Sequence, residues 1–210
     1  MKKIITIILA VLLGILVIAG VILYPEYTGQ KQALQSCEKK LADLEKKVPS
    51  EAQLKSAQEA LVSSLNEQIK KQEITIKELE GGLSLSMVDR ILFRLGEATL
   101  TPQGEKVLAK VGAGLKQIQG KMIRVVGHTD TIPIRKDYLD KFPSNWELSA
   151  ARASTVVRYF QDKSGLDPKE MEAVGRSFYQ PAAPMDTAKN RALNRRVEIL
   201  IAPIMEMKEK

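Results

Sequence analysis

From Ile4 to Tyr24 the chain runs for 21 residues without one charged side chain. As a helix rising 1.5 Å per residue, such a run is about 32 Å long, enough to cross a hydrocarbon core of about 30 Å. The apolar region of a signal peptide is shorter, about 7–15 residues. Val17-Ile18-Ala19 could mimic a cleavage site, yet Val21, Ile22 and Leu23 follow it, and a cleaved leader rarely stays apolar past the cut. A retained anchor over residues 1–25 is the expectation, with a cleaved signal peptide as the alternative. Lys2 and Lys3 precede the run, and positive charge stays cytoplasmic. The rest of the chain is therefore expected in the periplasm, held by a single pass through a bacterial inner membrane. Ionisable side chains mark ion and proton paths inside a membrane, and this run has none. It reads as an anchor alone.

A single Cys and a single His exclude an intrachain disulfide scaffold, a Cys-rich zinc or iron–sulfur site and a multi-histidine metal centre. No cofactor is expected. Leu34-Gln35-Ser36-Cys37 loosely imitates a lipid-attachment box, but Glu26 and Lys31 separate it from the apolar run, so lipidation is not expected.

Residues 31–80 are rich in Lys, Glu, Gln, Ala and Leu. Leu34, Cys37, Leu41, Leu44 and Val48 recur at alternating steps of three and four, the seam of a coiled coil. Pro49 interrupts it, Ser50 can cap a restarted helix, and Leu54, Leu61, Leu65, Ile69, Ile76 and Leu79 extend a looser stripe. The segment is expected to be a helical coiled-coil stalk able to form a homodimer through the seam, where Cys37 is read as a small buried hydrophobe with an interchain disulfide as the alternative. A monomeric helical hairpin folding back at Pro49 is the alternative. Gly81-Gly82 would end the helix and act as a hinge.

Residues 83–203 are the one segment expected to hold a real core. The net charge is +7, from 32 Lys and Arg against 25 Asp and Glu. From residue 83 to the C-terminus there are 21 Lys and Arg against 15 Asp and Glu, so +6 of that charge lies here. Leu83–Val88 alternates as a strand does, and Ile91-Leu92-Phe93 reads as a second, short strand. Thr101-Pro102 is a cap with proline at the first helical position, before a helical face of Val107, Leu108, Val111, Leu115 and Ile118. Met122–Val126 reads as a buried strand, His128 to about Ser144 as a long polar loop, and residues 145–161 as a helix with Leu148, Ala151, Thr155 and Tyr159 on one side. Met171–Val174 is a short strand, Asp186–Asn194 a helical turn, and Val197–Ile201 a final strand. Strands alternating with helices give an α/β fold with βαβ units.

Three motifs carry a resemblance. Gly127-His128-Thr129-Asp130 closes a strand. Asn145-Trp146-Glu147-Leu148-Ser149-Ala150-Ala151-Arg152-Ala153 opens a helix. Asn194-Arg195-Arg196-Val197-Glu198-Ile199 enters the last strand. In this order and spacing, with Leu92-Phe93, Gly96 and Leu100-Thr101-Pro102 ahead of them, they resemble the OmpA-like domain, the peptidoglycan-binding module of OmpA, Pal and MotB. The insert between Asp130 and Asn145 is most similar to the MotB branch. The resemblance implies a βαβαβ sandwich with a mixed sheet. It also implies a ligand, the peptidoglycan stem peptide with its diaminopimelate, whose free end sets an amine beside a carboxylate. By resemblance Asp130 would take the ammonium and Arg152 would fork onto the carboxylate. Asn145 would hold the loop and touch the ligand backbone, Thr129 would add a hydrogen bond, and Arg195 would line the pocket.

Blander roles stand beside these. Asp130 and Arg152 could be a structural ion pair. His128 is expected to be a hydrogen-bonded structural histidine, and Trp146 to cover the core. Adjacent residues on a strand face opposite ways, so only one of Arg195 and Arg196 can enter a pocket. Arg135-Lys136 is read as solvated loop charge, and nucleic acid is excluded by the periplasmic placement. No nucleophile motif, carboxylate pair or metal cluster is recognisable, so no enzyme is expected. The expectation is a membrane-to-wall tether, with a stator-type subunit beside a membrane protein partner as the alternative.

Overall fold

The computed structural model describes residues 12–14, 18, 24, 27–42 and 50–203. The chain divides into two compact units, residues 1–46 and 47–210. Most of the expected anchor lies outside the described residues, as do Leu44 and Val48 of the expected seam. Among the described residues no helix is long and apolar enough to cross a membrane. In the first unit residues 27–42 are helical. Leu34, at 61% exposure, and Leu41, at 58%, stand in the open, and Cys37 is exposed with a free thiol.

The second unit starts well before the domain expected from residue 83. Ser50 caps helix α1 (Glu51–Ser64) in a reciprocal capping box with Gln53. Its backbone N–H donates to Gln53 Oε1 at 3.1 Å, and its hydroxyl accepts from the Gln53 N–H at 3.2 Å. Leu54, Ala57, Leu61 and Leu65 form the buried stripe and belong to the main core. The stripe expected to continue the stalk therefore meets the domain itself. Sequence periodicity marks an apolar face without naming the surface that covers it. A short helix α2 (Asn66–Lys70) follows. The expected helix then gives way to strand β1 (Ile74–Leu79), paired antiparallel with β2 (Gly82–Val88). Ile74-Thr75-Ile76 is β-branched throughout, which favours a strand. Glu80-Gly81 is the two-residue connection, and Gly81 takes a φ of 70° that a side chain would oppose. The expected hinge is a hairpin turn.

After β2 comes one helical turn, α3 (Asp89–Leu92), where a strand over residues 91–93 is expected. The Asp89 N–H donates to the Arg195 carbonyl at 2.9 Å and the Phe93 N–H to the Asp89 carbonyl at 2.8 Å, which closes the turn. Phe93 alone keeps a bridge, to Leu100. Helix α4 (Pro102–Leu115) begins as expected, with Thr101 as its cap and proline in its first turn. Then follow β3 (Lys121–His128), α5 (Asn145–Tyr159), β4 (Met171–Gly175), α6 (Ala188–Asn194) and β5 (Arg196–Pro203).

The five strands form one mixed sheet in the order β1-β2-β5-β3-β4. Only β3 and β4, joined through α5, run parallel. Leu83, Leu85 and Met87 of β2, Val197, Ile199 and Ile201 of β5, and Ile123 and Val125 of β3 are sealed from solvent. They share one core with Val107, Leu108, Val111 and Leu115 of α4 and Ala153 and Val156 of α5. Alternation along β2 and β5 sends the other residues to a more open face, as an antiparallel sheet covered on one side requires.

Candidate functional site

The cleft forms where the ends of β2 and β3 meet the start of β5, and each wall is set by a local feature of the chain. Gly127, near the end of β3, lets α5 approach, because a Cβ there would lie 2.1 Å from the Ser149 carbonyl oxygen. Ser144 caps α5 by accepting from the Trp146 N–H at 3.1 Å. The buried face of α5 is Asn145, Leu148, Ser149, Arg152, Ala153 and Val156, one residue round from the expected stripe. The small Ser149 and Ala153 can lie close against the sheet where Ala151 and Thr155 were expected.

Thr129, Asp130, Asn145, Arg152 and Arg195, the five residues singled out in the sequence, all line one cavity of about 250 Å³. Asp89, Gly96, Arg135 and the apolar side chains of Leu95, Ile132, Pro133, Ile134, Tyr138 and Leu148 complete its walls. Asp130 and Arg152 have separate partners. Arg152, 3% exposed, sets Nη1 3.0 Å from Asp89 Oδ2, donates Nε–H to the Glu97 carbonyl at 3.0 Å and lies 5.3 Å from the centre of the Phe93 ring. Asp130 Oδ2 accepts from Arg195 Nη1 at 2.5 Å, and its Oδ1 accepts from the Ile132 N–H at 3.0 Å. Arg195 also places Nε 3.8 Å from Asp89 Oδ1. Asn145 fastens the loop, donating to the carbonyls of Asp130 and Ile132 at 3.3 and 3.1 Å. The Thr129 hydroxyl is buried and lacks a hydrogen-bond partner among the described residues.

Two carboxylates and two guanidiniums therefore pair with one another in the cleft, and the remaining charge of its lining, Arg135, pairs with Asp137 at 2.8 Å. Burial pushes the Asp89 carboxyl above its ordinary value; Arg152 and then Arg195 pull it back, and Asp130 adds to the rise. Burial likewise draws Arg152 downward, against the pull of Asp89, and a guanidinium so placed stays charged. Asp89 was not singled out in the sequence. Its one local signal is an acid placed directly after the alternating run Leu83–Val88.

Arg196 turns away from the cleft, as strand alternation requires, donating to Glu198 Oε1 at 2.7 Å and to the Gln180 carbonyl at 3.1 Å. His128 is buried, but neither ring nitrogen has a hydrogen-bond partner; Nε2 stands 3.7 Å from Glu198 Oε2, within ion-pair range and beyond hydrogen-bond reach. The expected hydrogen-bonded histidine is therefore a buried one held beside a carboxylate. Trp146 does not cover the core. It is 47% exposed and stacks on Tyr179, because α5 turns Asn145 rather than Trp146 inward.

Residues 92–195 match the model of the OmpA family. The cell wall anchor of the T6SS from Pseudomonas aeruginosa is 30% identical and superimposes with a TM-score of 0.61, over 69% of this chain and 97% of that one. The chain belongs to the OmpA family. A MotB-like protein from Desulfovibrio vulgaris is 28% identical, with a TM-score of 0.65 over 73% of this OmpA-family chain and 96% of its own. Among curated relatives, the uncharacterized protein YtxE of Bacillus subtilis is 38% identical over 148 residues, 69% of this chain and 60% of its own length. Motility protein B of the same organism is 34% identical over 131 residues, 62% of this chain and 49% of its own. The chain thus spans about half to three-fifths of the length of these curated relatives.

Proposed function

We propose that the chain is a non-enzymatic tether that grips peptidoglycan through the diaminopimelate stem peptide and is anchored in the inner membrane by residues 1–25. The observation that carries this reading is the two acids and two arginines that pair with one another in one cleft. A cation alone or an anion alone would leave one of these pairs opposed. A zwitterionic end, with an amine beside a carboxylate, meets both signs at once. Asp130 takes the ammonium in exchange for Arg195, Arg152 offers the carboxylate the N–H groups not engaged by Asp89 and the Glu97 carbonyl, and the unpartnered Thr129 hydroxyl is free to bond to the ligand. The apolar wall of Leu95, Ile132 and Pro133 suits the methylene chain between the two ends. A relative that is a cell wall anchor supports the same reading.

The test is co-sedimentation of the full-length chain, in detergent, with purified diaminopimelate-type peptidoglycan. The wild type is expected in the pellet. Asp130→Ala and Arg152→Ala, checked for folding by circular dichroism, are expected in the supernatant. A wild type that stays soluble sinks the reading, and so do variants that sediment as well as it does.

A stator-type subunit of an ion-driven membrane complex is the second reading, favoured by the match to Motility protein B. The apolar run Ile4–Tyr24 has no ionisable residue, so in that role a membrane protein partner would supply the ion-carrying group. Copurification of a polytopic membrane protein with the tagged chain separates this reading from a simple tether.

A further inference from the structure

Beside the cleft stand aromatic rings that the stem-peptide grip does not use. Trp146 is 47% exposed and Tyr179 62%. Their ring centres lie 5.3 Å apart with planes 24° from parallel, and Phe178 stacks on Tyr179 at 4.4 Å and 28°. Leaving such rings half in water forgoes burial that aromatic side chains ordinarily supply.

The platform is fixed in place. The Ser149 hydroxyl donates to the Trp146 carbonyl at 3.0 Å and accepts from the Ser177 N–H at 3.1 Å. Ser177 adopts a φ of 51°, a conformation that costs a non-glycine residue energy and persists where its surroundings enforce it. Its carbonyl accepts from the Thr129 N–H at 2.9 Å. Both sides of the platform are thus tied to residues that line the cleft. Trp146 follows Asn145 directly, a Cα step of about 3.8 Å, and the loop bearing Tyr179 hangs from Thr129.

We propose that Trp146 and Tyr179 form a sugar-stacking subsite for the glycan strand that carries the stem peptide. The proposal rests on the peptidoglycan reading of the cleft. A pyranose ring has an apolar C–H face that an aromatic ring can cover while the equatorial hydroxyls stay in water. In the peptidoglycan stem the diaminopimelate is the third residue from the sugar, so an extended stem places the two about 10 Å apart. A subsite adjoining the cleft is within reach of that sugar. The same polymer would then be held at two points, by charge at the peptide and by stacking at the glycan.

Trp146 is the sole tryptophan of the chain, so its emission reports on this subsite directly. The experiment titrates the full-length chain in detergent with a disaccharide-bearing diaminopimelate muropeptide and, separately, with the same peptide lacking the sugars. The wild type is expected to bind the muropeptide about tenfold more tightly, and only the muropeptide should shift the emission. By calorimetry, Trp146→Ala and Tyr179→Ser should each reduce muropeptide affinity to that of the free peptide and leave free-peptide affinity unchanged. Equal wild-type affinities for the two ligands would overturn the subsite while leaving the cleft reading intact. So would variants that weaken both ligands alike. Failure of the wild type to bind either ligand would overturn both.

Discussion

Arg152 shows how much of a binding group is set by its neighbours. Its guanidinium is buried against Asp89, the Glu97 carbonyl and the Phe93 ring, so it arrives at the cleft already oriented. Removing one partner of a buried ion pair leaves the other uncompensated and costs about 3–5 kcal/mol. Asp89→Ala is expected to lower stability by about 3 kcal/mol, read from the urea midpoint, and Asp89→Asn by nearly as much, because the amide keeps the shape but not the charge. A much smaller loss in Asp89→Asn than in Asp89→Ala would mean that Asp89 matters for packing rather than for its charge against Arg152. Glu198 gives a pH-dependent counterpart. His128 first, and Arg196 after it, overcome burial to pull this carboxyl down to about 2 from an ordinary 4.5. A depressed carboxyl stabilises the fold above its unfolded value, so this contribution is present above pH 4.5 and is lost as pH falls from there to about 2. Thermal melts across that window should fall less steeply for Glu198→Gln than for the wild type. Asp89 acts with the opposite sign: raised in the fold, it favours the native state at lower pH and loses that contribution as pH rises.

Among the elements, α1 and β1 carry the largest revision to the sequence reading. Leu61 of α1 is 1% exposed, and it meets α4 so closely that a Cβ on Gly114 would come within 2.8 Å of Leu61 Cδ2. Leu61→Ala should therefore destabilise the domain by about 2–5 kcal/mol. Leu34→Ala, on the exposed helix of residues 27–42, should leave the domain melting transition unmoved. If both substitutions behave as surface changes, α1 is not part of the core. Both segments carry an apolar stripe at helical spacing, so the amino-acid pattern could not separate a seam waiting for a second chain from a stripe already covered by its own.

For the whole molecule, the proposed tether needs one end in the membrane and the other at the wall, with the helix of residues 27–42 between them. Cys37 is exposed and free on that helix, and we propose that the homodimer expected from the seam brings two copies together there. Mild oxidation of membranes containing the full chain is expected to produce a disulfide-linked dimer on a non-reducing gel, absent in Cys37→Ser. A monomer under those conditions would favour a single, unpaired spacer.

The motifs at residues 127–130, 145–153 and 194–199 announced the family and the cleft from the sequence, because each is a contiguous run placed at a strand end or a helix start. The proline-led start of α4, the long loop and the strands β2, β3, β4 and β5 were legible for a similar reason, since period and punctuation are local properties of a chain. Asp89 was not, because its partners lie more than 60 residues away on α5 and before β5. Nor was the attachment of α1 and β1 to the domain, nor the exposure of Trp146. Each of those depends on which surface packs against an apolar face or buries a charge. Burial and ion pairing are properties of two surfaces at once, and only the tertiary structure brings the second surface to the first.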